Sequence, residues 1–384
     1  GNGICSEYLP DSGRLEQTMK VLHISSALTW RGGEQQIAYL VQGLHKLQVE
    51  QFLFCPEGSP LASWCQANQW PHQTYPKLNL SPRVVRRLIR LAKNIKPDLI
   101  HLHDSHAHTY GVLANTFSAH KTPLVLHRRV DFPIKPNIFS RWKYNHTSIK
   151  AILCVSEFIR QLLLPDIKNK AIVHTVYSGI DLERFGSIKE PSKGLRTVFH
   201  VPNDHRVIAN IASLAPHKDY YTFVDVIQLL KQSGVQASYF AIGGDGGEMD
   251  EVKDYASRNG LTNDLIFTGF RPDVADLAQD IDVLLVSSKE EGLCTTLLDA
   301  FSGGIPVVAT TAGGIPELVK NEETGLTAPI KNAQELAGQV VRMLTDQPLR
   351  DQCIIHAKKF VQQFSFETMT FRIYQHYQHI LAIQ

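Results

Sequence analysis

EGLCTTLLDAFSGGIPVVATTAGGIPE, residues Glu291 to Glu317, is the stretch on which the reading of this chain turns. A carboxylate, Glu291, stands at the mouth of a turn at Gly292. A helical pattern runs from about Thr295, and a second carboxylate, Asp299, follows eight positions after the first. Ser302, Gly303 and Gly304 lead out into an apolar strand, IPVVAT, and a second glycine turn, AGGIPE, opens another helix. A helix N-terminus presents unpaired amides and a partial positive charge, so this unit offers an anion site, and phosphate is the usual anion. Carboxylates beside a phosphate cradle make sense when the ligand also carries many hydroxyls, which carboxylates accept well. Phosphate together with hydroxyls points to a nucleotide sugar.

Outward from this unit one theme repeats. Apolar runs VLHIS, QFLFC, LIHLH, PLVLH and AILCV alternate with helical stretches up to about residue 177, and VIANIAS, ASYFAIG, LIFTG, VLLVSS and PVVAT do so again. Continuous apolar strands alternating with helices predict an α/β fold of parallel sheets covered on both faces. The hinge is expected at YSGIDLERFGSIKEPSKG, where Gly, Pro and Ser accumulate. Two doubly wound units place a ligand cleft between the carboxyl ends of their strands. A chain of 384 residues accommodates two cores, and 43% hydrophobic residues, 20% charged residues and a net charge of +2 describe an ordinary globular composition. No apolar run reaches the roughly 18 residues of a membrane span. Six cysteines (Cys5, Cys55, Cys65, Cys154, Cys294, Cys353) are scattered without a CxxC pair, which reads as reduced thiols. Residues 1–18 are polar and patternless, unlike a secretory signal, and precede MKVLHI, which starts as a native N-terminus would. They are expected to be an appended or flexible extension to a cytoplasmic protein.

The acidic segment resembles the donor-site motif of retaining glycosyltransferases of family four (glycosyl transferases group 1, GT-B fold), in which seven residues separate two acids. MKVLHISS with RGGEQQIAYL, PDLIHLHDSHAHTYG, VYSGIDLERF, SLAPHKD, AIGGDGGEMDEV, IFTGFRPDV and VLLVSS follow that family's order from about Met19 to the C-terminus. The resemblance implies two Rossmann-like domains facing a cleft: an acceptor-binding domain over 19–177 and a donor-binding domain over 178–365. The last helix, 366–384 with its aromatic stripe, would cross back onto the first domain.

The resemblance also implies roles. Glu291 would meet hydroxyls of the transferred sugar and Asp299 the ribose. Gly292, Leu293, Cys294 and Thr295 would cradle the diphosphate, with Lys218 neutralising it and Arg271 contributing to the donor site. Ser213 stands where the family commonly has arginine, which replaces a charged fork by one neutral hydrogen bond. Gly32 and Gly33 would let the backbone approach the donor or acceptor. His127, at a strand end, resembles the family's active-site histidine, so His127, Lys218 and Glu291 form the catalytic expectation. His103, His106, Arg128 and Arg129 are placed on the acceptor side. Each has a plainer reading as well: a turn glycine, a solvated lysine, or a carboxylate stabilising a helix dipole by about 0.3–1 kcal/mol.

Rival readings are weaker. A dinucleotide-binding dehydrogenase needs G-x-G-x-x-G, and GGDGGEM puts Met249 where the last glycine belongs. His101, His103, His106 and His108 with Asp104 look like metal ligands, but that reading leaves the acidic motif and Lys218 unexplained; no metal and no cofactor beyond the co-substrate is expected. SPRVVRRLIRLAKNIKPD carries Arg83, Arg86, Arg87, Arg90 and Lys93 between apolar positions, so it suits either an anionic membrane surface or an ordinary domain helix. Nothing resembles a nucleic-acid module. The expectation is a retaining hexosyltransferase that moves a sugar from a nucleotide diphosphate to a glycan or lipid-linked hydroxyl, peripheral at the inner membrane face. The alternatives are an epimerase or hydrolase of the same fold, or a degenerate binding protein.

Overall fold

A computed structural model describes residues 18–77, 80–187 and 189–382; the extension up to residue 17, with Cys5, lies outside them. The first half forms a parallel sheet of seven strands: β1 (Lys20–Ile24), β2 (Glu50–Pro56), β3 (His72–Tyr75), β4 (Leu99–Leu102), β5 (Leu124–Arg128), β6 (Ile149–Cys154) and β7 (Val173–Thr175). Their spatial order is β3-β2-β1-β4-β5-β6-β7. The second half forms a six-stranded parallel sheet from β8 (Arg206–Ile211), β9 (Ala237–Ile242), β10 (Leu265–Gly269), β11 (Val283–Val286), β12 (Val307–Thr310) and β13 (Leu326–Ala328), ordered β10-β9-β8-β11-β12-β13. In each sheet the order reverses once, between β1 and β4 and between β8 and β11. The crevice beyond the strand ends at such a reversal is where open α/β sheets take ligands.

Strand alternation assigns the faces. Val21, Leu99, Val125 and Ala151 project from one face of the first sheet onto Leu40 and Leu44 of helix Gly32–Lys46 and Met369, Ile373 and Tyr377 of helix Phe366–Ala382. The opposite face packs Leu22, Ile100 and Leu102 against helices Pro82–Ile95 and Ser105–Phe117. The expected return of the last helix onto the first sheet is therefore observed.

The chain crosses between the sheets twice, side by side. Ile180 on the way out exchanges main-chain bonds with the returning segment: its N–H donates to Phe364 O at 2.9 Å, and Phe366 N–H donates to Ile180 O at 2.8 Å. Gln36 reads the neighbouring peptide in both directions, donating to Gly179 O at 2.7 Å and accepting from Gly179 N–H at 3.1 Å. Phe366 then stacks on Tyr39 with ring centroids 5.1 Å apart.

Helix Pro82–Ile95 starts with a Ser81 side-chain cap and Pro82 in its first turn. Val84, Val85, Leu88 and Leu91 are buried, and Arg83, Arg86, Arg87, Arg90 and Lys93 are all exposed. No helix among the described residues is long and apolar enough to cross a membrane.

Candidate functional site

The acidic segment folds as its spacing suggests: a turn after β11, then helix Thr295–Ser302. Glu291 is almost wholly buried, and its Oε1 lies 2.5 Å from Lys218 Nζ while accepting from Ser288 Oγ at 2.7 Å. Burial, the largest influence on the Lys218 ammonium, would lower its pKa; the Glu291 carboxylate outweighs it and holds the group above its ordinary value. Cys294 takes a left-handed φ of 68° at the start of the helix, and burial beside Glu291 pushes its thiol far up, so it is an unreactive neutral group. Gly292 is required by packing: a Cβ there would lie 2.3 Å from Arg129 O. The acidic turn of the second half thus rests on the end of β5 in the first.

Across this contact stands the first glycine turn. Gly32 and Gly33 open helix Gly32–Lys46, whose amides Glu34 caps by accepting Arg31 N–H at 2.7 Å. A Cβ on Gly32 would sit 4.0 Å from Thr295 Oγ1, and one on Gly33 3.9 Å from Arg129 Cδ. Gly32, Gly33, Arg129, Glu291, Gly292, Cys294, Thr295 and Lys218 therefore belong to one neighbourhood, assembled from both halves and containing two helix N-termini.

Beside it runs a row of buried histidines on the α-helix Gly32–Lys46 side of the first sheet. His23 of β1, His101 of β4 and His127 of β5 share the strand parity of Val21, Leu99 and Val125, with His103 just past β4. His101 Nε2 lies 3.2 Å from His127 Nδ1, and His101 Nδ1 lies 2.5 Å from the Tyr377 hydroxyl of the returning helix. His103 Nε2 is 3.0 Å from His23 Nδ1, and His23 Nε2 is 3.0 Å from Gln51 Oε1. Arg129 donates to His103 O at 2.8 Å and meets His103 Nδ1 at 3.3 Å. Burial holds all four imidazoles far below their ordinary pKa, His23 at about 4, and brings the Arg129 guanidinium down to about 10. They are neutral at physiological pH.

Nitrogens of His23, His101 and His103 lie within 4.8 Å of one another, close enough to share an ion. Their lone pairs, however, are engaged: His103 Nδ1 faces a guanidinium, which can only donate, and His23 and His101 are bonded as above. The cationic Arg129 beside them further disfavours a metal. The sequence-derived cluster dissolves differently. His106 is exposed, His108 is tied to Lys143 O at 3.1 Å, and Asp104 caps helix Ser105–Phe117 while accepting Ser26 N–H at 2.6 Å.

Other expected site residues are placed as follows. Asp299 is half-buried, with Oδ1 enclosed and unpartnered among the described residues; burial pushes its carboxyl up to about 7. Arg271 forms a two-pronged pair with Asp273 at 2.7 and 2.6 Å. Ser213 is half-buried at the end of β8. Arg128 projects to the other face of β5 from His127, where it donates to Tyr144 Oη at 2.7 Å and to Phe132 O; it is not brought to the site. His23, Gln51 and Tyr377 escaped the sequence reading, and so did the part played by Glu317. Its carboxylate accepts Glu157 N–H (2.8 Å), Phe158 N–H (3.0 Å) and Tyr177 Oη–H (2.9 Å), clasping the second half to the first. The glycines of GGDGGEM serve loop packing, since a Cβ on Gly243 would lie 1.9 Å from Ala212 O. That geometry leaves the dehydrogenase reading without support.

Comparison with known proteins agrees with this geometry. The family "Glycosyl transferases group 1" matches residues 194–360 and "Glycosyltransferase Family 4" matches residues 30–184. The UDP-Gal:alpha-D-GlcNAc-diphosphoundecaprenol alpha-1,3-galactosyltransferase of Escherichia coli is 24% identical over 361 residues, covering 86% of this chain and 89% of the relative. The N,N'-diacetylbacillosaminyl-diphospho-undecaprenol alpha-1,3-N-acetylgalactosaminyltransferase of Campylobacter jejuni is 26% identical over 297 residues, 72% of this chain and 76% of the relative. Among solved structures, HepE of Anabaena in complex with UDP and glucose superposes with a TM-score of 0.81 at 21% identity, covering 93% of this chain and 98% of HepE.

Proposed function

This chain belongs to the family-four, group 1 glycosyltransferases of the GT-B fold, and from that membership we infer that it moves a hexose-type sugar from a nucleotide diphosphate to a hydroxyl of a glycan built on a lipid diphosphate. The observation that carries the reading is the Lys218–Glu291 pair at 2.5 Å, beside the N-terminus of helix Thr295–Ser302 and facing Gly32 and Arg129.

Lys218, the amides near Thr295 and the Thr295 hydroxyl take the diphosphate, and the ammonium offsets charge as the leaving group departs. Glu291 accepts hydroxyls of the transferred sugar, and Asp299 those of the ribose. His127 and Arg129 approach the donor from the first half. Retention follows from attack on the face the leaving phosphate vacates, with that phosphate taking the acceptor proton. Glu291, drawn into an ion pair by Lys218, is unsuited to be the carboxylate nucleophile of a retaining glycosidase. No divalent ion is required in this scheme. The two relatives, both named for action on undecaprenol diphosphates, favour a lipid-linked acceptor.

A lipid-linked acceptor brings the enzyme to the inner membrane face. The basic strip Arg83, Arg86, Arg87, Arg90 and Lys93 suits an anionic surface, each charge adding about 1 kcal/mol at most. Helix Ile138–Tyr144 adds exposed Ile138, Phe139 and Trp142. Flotation with phosphatidylglycerol vesicles, lost when the five basic residues become glutamine, is the expected result.

The primary test is a thermal-shift screen against UDP, GDP, ADP and their sugar conjugates, followed by transfer assays. A ligand at a hundred times its Kd stabilises the fold by about 2.7 kcal/mol. Stabilisation by one nucleotide series, lost in Lys218→Ala, supports the donor site; no stabilisation by any of them overturns it.

A further inference from the structure

We propose that Tyr377, on the helix that returns from the second half, is a positioning residue that fixes the tautomer of His127 through His101, so that His127 presents an Nε2–H donor to the cleft. The inference rests on His127 belonging to the donor site, as read above.

The argument is one of hydrogen-bond direction. His101 and His127 are buried and neutral, so each carries one ring proton. Tyr377 is fully buried, and among the described residues the one partner of its hydroxyl is His101 Nδ1, at 2.5 Å. Suppose His101 Nδ1 carried the proton. It would then donate to the tyrosine oxygen, and the phenolic proton would be left buried without an acceptor, at the full desolvation penalty of an unmade bond. The tyrosine therefore donates. His101 must then hold its proton on Nε2, which lies 3.2 Å from His127 Nδ1 and donates to it. With Nδ1 accepting, the one proton of His127 is on Nε2. That atom is bonded to no other described residue, and it is not among the enclosed unpartnered polar atoms.

The neighbouring chain obeys the same logic and supplies a control within the molecule. Arg129 can only donate to His103 Nδ1, so His103 holds Nε2–H and donates to His23 Nδ1. His23 donates through Nε2–H to Gln51 Oε1, and Gln51 Nε2 donates to Val41 O at 2.9 Å. Every link points the same way, from Arg129 through His103, His23 and Gln51 to Val41 O; the enclosed Nε–H of Arg129 has no described partner and stands outside the chain. The two chains run side by side, with the His101 and His103 rings stacked at 4.1 Å. Only the first reaches the cleft as a donor, and its direction is set by a residue of the last helix.

The chemical consequence lies in what His127 can recognise. As an Nε2–H donor it offers a hydrogen bond to a sugar hydroxyl oxygen or a phosphate oxygen, where charge grows as the glycosidic bond breaks. As the other tautomer it would present a lone pair, which repels a phosphate oxygen and can meet a sugar hydroxyl only as the acceptor of its proton.

The test begins with the wild-type protein labelled with 15N-histidine, using two-bond 1H–15N correlations and identifying the His127 signal by its absence in His127→Gln. The expected spectrum has a pyrrole-like Nε2 and a pyridine-like Nδ1 at His127, and the same at His101. A pyrrole-like Nδ1 at either residue overturns the proposal, and this reading needs neither activity nor a variant of Tyr377. Tyr377→Phe then removes the hydroxyl and keeps the ring. The expected result is mixed tautomers at His127 and a kcat lowered about fivefold to tenfold, the equilibrium worth of one net hydrogen bond, with the donor KM and the nucleotide thermal shift little changed. A variant with unaltered tautomers, or one in which KM rises while kcat holds, counts against the proposal. Should no nucleotide sugar bind at all, the transferase reading fails, and the wild-type tautomer measurement still decides this one.

Discussion

The two walls of the cleft hold their polar groups by opposite means. The wall from the second half is charged and built from nearly contiguous sequence: Glu291 to Thr295 forms one turn, and Lys218 alone comes from elsewhere, 2.5 Å from Glu291. The wall from the first half is composite, its neutral imidazoles drawn from β1, β4 and β5, its bonding completed by Tyr377, and the cationic Arg129 lodged beside them. Charge is tolerated where a partner compensates it and some solvent access remains; where the interior is dry, burial strips the protons off and direction of donation replaces charge.

The largest effect expected from this contrast is on acid stability. His23, His101, His103 and His127 have folded pKa values below the unfolded 6.5, His23 at about 4. Their contribution is complete above pH 6.5 and is lost as pH falls, because the unfolded chain binds protons the folded one refuses. Each loses about 1.4 kcal/mol per pH unit in that window, so scanning calorimetry between pH 7 and about 5 should show a fall of several kcal/mol. His23→Gln should flatten it, and a curve without slope between those values would break the contrast.

Next comes Lys218→Ala. It is expected to lower kcat by about a hundredfold to a thousandfold, the worth of one preorganised charge-stabilising group. It should also lower the melting temperature, because Glu291 is left buried and unpaired; a variant within tenfold of wild type would show the second wall is not electrostatic. Smaller again is Glu317→Ala, which leaves two main-chain N–H groups and the Tyr177 hydroxyl unsatisfied and should cost about 1–2 kcal/mol in urea unfolding. The smallest effect concerns Asp299, whose carboxyl is raised from 3.8 to about 7 by burial. A raised acid destabilises as it ionises, so this residue works against the histidines, removing stability as pH rises from about 4 to about 7. If its carboxylate accepts ribose hydroxyls, nucleotide affinity measured by calorimetry should rise from pH 6 to 8, and Asp299→Asn should abolish that rise.

The same contrast explains what could be read from sequence. The ten longer apolar runs all appear as strands, because a strand buried on both faces needs continuous apolar residues. The three strands that gave no signal, β3, β7 and β13, are sheet edges of three or four residues with partly exposed, polar members such as HQTY and VHT. The charged wall was legible because its residues are neighbours in the chain. The histidine wall was only half legible: His127 at a strand end and His103 stood out, but His23 in VLHI reads as a core strand with one polar residue. The parity shared by Val21 with His23 and Leu99 with His101 was the available signal. Parity applied at His127 would also have sent Arg128 to the far face, where it meets Tyr144. Tyr377 lies 250 positions from His127, and no local pattern reports a bond over that separation.

The returning helix Phe366–Ala382 also imposes an order on biosynthesis. Domains generally fold as they emerge from the ribosome, N-terminal first, yet here Val21, Leu99 and Val125 of the first sheet have only part of their cover, Leu40 and Leu44, until Met369, Ile373 and Tyr377 have been translated. A nascent chain halted before Phe366 carries nearly every residue of the cleft, with one apolar face of its first domain only half covered. The first domain to emerge is thus the last to close, and loss of a short C-terminal stretch would damage it more than the domain to which that stretch is joined.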